Sequence, residues 1–145
     1  MIVNDDTLSL LKECNSGIQM AVYSMDEVLD EVKDPKFKTI LKDSVDAHKK
    51  LGDESHMLLV ECGEEKKDPG LMAKGMSWIK TNAKLMMDDS DKKSADLITE
   101  GCNMGIKTLY RYMNEYKTAD DKVRQLAENV IREEETLRHE LRCYL

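Results

Sequence analysis

An all-α fold, four long antiparallel helices in a bundle, follows from three features of the 145-residue sequence. Apolar residues recur at steps of three and four along extended stretches, the period of a helix with one buried face. Turn-formers and sheet-formers are scarce: seven Gly, two Pro and seven aromatic residues (Phe, Trp and Tyr together) stand against ten Met. The second half of the chain also repeats the pattern of the first, so two helix hairpins are expected, joined by a long crossover carrying a short helix.

Punctuation sets the elements. Pro35 follows Asp34, and the residue before a proline resists the helical conformation. Asp68-Pro69-Gly70, the polar patch at 88–93 and Thr118-Ala119-Asp120-Asp121 supply further breaks. Helical stretches are thereby predicted at 5–32, 36–64, 70–87, 92–117 and 120–143, with Asn4, Ser90 or Asp91, and Thr118 as N-caps. The first stretch carries the stripe Leu8, Leu11, Asn15, Ile18, Val22, Met25, Leu29 and Val32. The second carries Phe37, Leu41, Ser44, His48, Leu51, Ser55, Leu58 and Cys62, and the last Val123, Ala127, Val130, Glu134, Leu137, Leu141 and Tyr144. The 70–87 stretch, with Met72, Met76, Trp78 and Ile79, reads as a short amphipathic helix that packs on its own bundle or at a homodimer seam.

Composition narrows the partners. A net charge of −7 disfavours nucleic acid and anionic membrane surfaces, which need a basic footprint. No apolar run approaches the roughly 20 residues that span a bilayer, and Met1–Asp6 lacks a basic, apolar leader pattern, so a cytoplasmic location is expected. Cys14, Cys62, Cys102 and Cys143 are widely spaced without C-x-x-C, which reads as free thiols. No phosphate-binding loop, dinucleotide fingerprint or H-E-x-x-H motif occurs.

The repeat is specific. Cys14-Asn15-Ser16-Gly17-Ile18 recurs as Cys102-Asn103-Met104-Gly105-Ile106, and Met25 and Glu27 then match Met113 and Glu115. After the turn, Ile40, Val45 and Leu51 match Leu126, Ile131 and Leu137. One domain is expected: a hairpin at 5–64, a crossover at 65–91 and a second hairpin at 92–143. Two hairpins with one long crossover is the layout of a ferritin-like bundle. Val32-Lys33-Asp34-Pro35-Lys36-Phe37-Lys38, the stretch 71–80 and Glu100-Gly101-Cys102-Asn103-Met104-Gly105 carry a resemblance to a bacterial family of unknown function in the ferritin-like superfamily. It implies a bundle fold, and in the wider superfamily that bundle holds two metal ions with carboxylates and Glu-x-x-His pairs.

The ligand pattern departs from that superfamily. No Glu-x-x-His occurs; Asp53 and His56 fall off the apolar stripe, and Glu135 with His139 reads as a surface pair. Each stripe instead has a polar interruption: Asn15 in the first helix, His48 in the second, Glu134 in the last. Asn103 is the repeat equivalent of Asn15, and Glu134 that of His48. These four are the candidate site, expected to meet in one layer as a hydrogen-bonded polar network with His48 paired to Glu134. Val45 and Ile131 stand where further carboxylates would be needed, so a dinuclear hard-cation site is disfavoured. The favoured reading is a non-catalytic ferritin-like protein with an association, stress or structural role. The alternative is a metal-binding, oxidase-like relative holding iron, manganese or zinc on His48, Glu134, Asn15 and Asn103.

Overall fold

The computed structural model describes residues 1–64 and 90–145. Among these residues there are four α-helices and no strand. They are α1 (Asp5–Leu29), α2 (Pro35–Glu61), α3 (Asp91–Glu115) and α4 (Asp121–Glu140), followed by a 3-10 turn at Arg142–Tyr144. The short crossover helix expected at 70–87 lies outside the described residues. No helix among the described residues is long and apolar enough to cross a membrane.

Local chemistry explains where the helices begin and end. The Asn4 side chain accepts from the Thr7 N–H, and the Ser90 hydroxyl accepts from the Lys93 N–H. Each satisfies one of the N–H groups that a helix start leaves without a partner. Asp34 caps α2 by accepting from the Phe37 N–H, so Pro35 opens that helix at a position where its missing N–H is harmless. Thr118 is not the cap of α4; Asp120 is. The Thr118 backbone and hydroxyl instead donate to the Asp6 carboxylate at 2.9 and 2.6 Å, which tethers the α3–α4 turn to the start of α1. Past the end of α2, Gly63 takes a φ of +80°, and the Glu64 N–H closes on the Leu59 carbonyl at 2.9 Å. A left-handed residue there lets the last carbonyls of the helix find partners.

Side-chain pairs fix the relative directions. Ser55 of α2 donates to Asn15 of α1, whereas the far end of α1 runs directly into α2 through 30–34, so the two are antiparallel. Arg138 of α4 donates to Asn103 of α3, and Arg124 to the Met113 carbonyl, the signature of a second antiparallel pair. At one pole Ile2, Asn4, Asp6 and Thr7 bond to 118–120. Glu64 lies on this half too, 3.7 Å from Lys12. At the other pole the Asp91 carboxylate accepts from the Lys33 and Asp34 N–H groups, and the Tyr144 ring packs 4.6 Å from Phe37. The chain thus leaves α2 at one pole and enters α3 at the opposite one, a separation of about 40 Å for a 27-residue helix.

The core has two halves. Leu10, Leu11, Val123, Leu126 and Ala127 fill the first pole, and Met25, Val28, Phe37, Leu41, Leu137 and Leu141 the second. Six apolar members of the expected stripes, Leu8, Val22, Leu29, Leu51, Cys62 and Tyr144, are only half-buried. The inward arc of α1 is centred nearer Leu10, Cys14 and Val28 than the stripe suggests, because α1 packs against three helices instead of one.

Candidate functional site

The two core clusters meet at a layer where apolar periodicity fails. His48 on α2 is fully buried and Glu134 on α4 is 5% exposed. Both line one cavity of about 200 Å³. Its walls come from all four helices, with Met20, Met25, Ile98, Leu109 and Val130 among the apolar contributors. Glu13, Ser16, Thr108 and Cys102 also line it.

His48 is held in one orientation. Its Nδ1 stands 2.8 Å from the Ser44 carbonyl oxygen and 3.3 Å from the Ser44 hydroxyl. A carbonyl can only accept, so Nδ1 carries the hydrogen. Burial pulls the imidazole below its ordinary pKa, against the opposing effect of that carbonyl bond, so the ring is neutral and Nε2 bears a lone pair. Nε2 is buried without a hydrogen-bond partner. Behind the ring, the Ser44 hydroxyl donates to Glu133 Oε1 at 3.0 Å, linking the buried histidine to a half-buried carboxylate.

Glu134 is the second unsatisfied group. Its Oε2 is buried without a hydrogen-bond partner. Burial, reinforced by the neighbouring Glu133 charge, pushes its pKa up to about 8, so the carboxyl keeps its proton at neutral pH. The carboxyl lies where a side chain at 105 would be. A Cβ on Gly105 would stand 2.5 and 2.7 Å from the two Glu134 oxygens. Gly17, which the repeat pairs with Gly105, borders the same cavity, and a Cβ there would meet nothing within 4 Å. The close approach that glycine permits at 105 is therefore by a carboxyl group, and at 17 there is none.

Of the four residues the sequence singles out, the structure brings two together. Asn15 is half-buried and accepts from the Ser55 hydroxyl at 2.9 Å, on the α1–α2 seam. Asn103 is exposed and accepts from Arg138 at 3.0 Å. Cys102 and Ile106 take the inward arc of α3, and one residue further along a helix turns the side chain by about 100°, out of the interior. The expected His48–Glu134 hydrogen bond is absent, since Nε2 and Oε2 are each without a partner. Asp53, His56, Glu135 and His139 are all exposed. The four cysteines are free, and burial pushes the Cys14 and Cys102 thiols up to about 12. Sequence reasoning missed Gly105 as the seat of the Glu134 carboxyl and Ser44 as the partner of His48. The spacing of Ser44 and His48, four apart on one face, carried the second of these.

A metal pair does not fit this donor set. No cluster of three or more His, Cys, Asp or Glu positioned for a metal ion occurs among the described residues. One imidazole and one carboxyl provide too little charge and too few donors for two divalent ions, or for a closed four-coordinate site. No protein-family model, curated protein or solved structure matches the chain.

Proposed function

We propose that this chain is a ferritin-like bundle that acts by holding a small guest molecule in its interior, without catalysing a reaction. The connectivity supports the first half of this reading: two antiparallel hairpins whose linkage joins opposite poles. The observation that carries the second half is a pair of polar atoms without a hydrogen-bond partner among the described residues, His48 Nε2 and Glu134 Oε2, on side chains that both line one mostly apolar cavity. A buried polar group without a partner costs roughly 1–3 kcal/mol. A bound molecule that supplies partners removes that cost in the complex alone, which is a driving force for binding. The cavity opens toward the surface beside exposed Met104, and its volume of about 200 Å³ is enough for a substituted single ring.

The test is a panel of single-ring compounds, neutral, cationic and anionic, screened by thermal shift and by amide chemical-shift mapping. At least one should raise the melting temperature and perturb residues of α1 and α3 around the cavity. Gly17→Leu, which projects a side chain into open space, should abolish the effect without unfolding the protein. No shift from any compound, or shifts confined to the surface, would overturn the reading. So would purification with stoichiometric iron, manganese or zinc whose removal lowers the melting temperature.

A further inference from the structure

We propose that the guest is a small organic ammonium ion: an apolar body against the cavity walls, its N–H donors shared between His48 Nε2 and the Glu134 carboxyl. This rests on the guest-binding reading above and specifies its chemistry. Three observations point the same way. First, the unsatisfied His48 atom is an acceptor only, since Nδ1 is committed to the Ser44 carbonyl. A guest must therefore bring a donor. Second, among the described residues the cavity is lined by the carboxyl groups of Glu13 and Glu134 and by no Lys or Arg, so Glu134, once it gives up its proton, has no cation in the lining to pair with. A cation is favoured there and an anion repelled. Third, the remaining wall is largely apolar, formed by methionine, leucine, isoleucine and valine side chains, so the body of the guest must be hydrocarbon.

The protonation balance follows. Free Glu134 is a neutral acid near pH 7. On binding, the ammonium keeps its proton and the carboxylic acid gives its own to solvent, leaving an ammonium–carboxylate pair. Binding therefore releases one proton, and affinity rises with pH until Glu134 is already ionised in the free protein. The titratable and charged groups around that carboxyl are Glu13 from α1, His48 from α2, Cys102 from α3, and Glu133 and Arg138 from α4 itself. Cys102 stays protonated across the window, at about 12.

Isothermal titration with benzylamine, toluene, benzyl alcohol and benzoate tests the proposal at about pH 6.5 and about pH 7.5 in buffers of different ionisation heat. Benzylamine should bind at least tenfold tighter than toluene at the higher pH. Its affinity should rise several-fold between the two, with release of nearly one proton. Glu134→Gln should weaken benzylamine at least tenfold, leave toluene unchanged and remove the proton release. His48→Phe, which keeps a ring in place, should weaken benzylamine while preserving its proton release. If toluene binds as well as benzylamine, or benzoate binds best, the ammonium assignment fails and the guest cavity stands. Benzylamine binding that is independent of pH and indifferent to Glu134→Gln also overturns the assignment. If none of the four binds to the wild-type cavity, both readings fall.

Discussion

Replacing Glu134 by glutamine should remove a slope from the pH dependence of stability. The carboxyl's ordinary value is 4.5, and in the folded protein it is about 8. Between those values the folded chain holds a proton that the unfolded chain has released. The stabilisation that a neutral Glu134 contributes is complete below 4.5 and is lost as pH rises toward 8. One proton of difference corresponds to about 1.4 kcal/mol per pH unit. His48 has the opposite sign, because its folded value is lowered from 6.5: its contribution is present above 6.5 and is lost as pH falls. The two effects oppose each other between 4.5 and 6.5, and above 6.5 only Glu134 acts. From pH 6.5 to 8 the wild type should lose roughly 1.5–2 kcal/mol through this group. Glutamine fills the same space and cannot ionise, so the variant should lack that loss. Urea unfolding at a series of pH values, followed by helical circular dichroism, reads it directly, because subtracting the variant curve cancels all groups common to both. Parallel wild-type and variant curves above pH 6.5 would refute a buried carboxyl with a raised pKa.

Gly17→Ala should stabilise by about 0.5–1 kcal/mol, since it relieves the entropy cost of glycine in a helix and meets nothing. Gly105→Ala should be less stable than Gly17→Ala by about 1 kcal/mol or more, because its Cβ displaces the Glu134 carboxyl, and the gap should close in a Glu134→Ala background. Leu137→Ala should cost about 2–5 kcal/mol at a site 3% exposed, whereas half-buried Leu51→Ala should cost about 1–2 kcal/mol. Equal midpoint shifts for the two leucines in thermal or denaturant unfolding would show that the described packing around α2 and α4 is wrong.

The period of the sequence determined the helical class and about half of the buried positions. A helix face must be apolar to leave water, and that requirement is written locally, which is why Leu11, Ile18, Phe37, Leu41, Val130 and Leu137 were legible. The same logic exposed His48 and Glu134, because a polar residue stands out on an apolar stripe. Asn4 and Ser90 were legible as caps, since a cap is satisfied within three residues of itself. Tertiary structure alone decided what was not local. Thr118 lost the capping role because the helix begins at Asp121, which puts Asp120 at the cap, and Thr118 is held instead by Asp6, more than a hundred residues away. Asn15 and Asn103 left the layer because a stripe gives a direction on its own helix and says nothing about which neighbour lies there. His48 and Glu134 line one cavity without a hydrogen bond from Nε2 to Oε2, for periodicity fixes angle while the distance between helices depends on every side chain packed between them. The glycine at 105 had a sequence partner at 17, yet only the fold placed a carboxyl against one and empty space against the other.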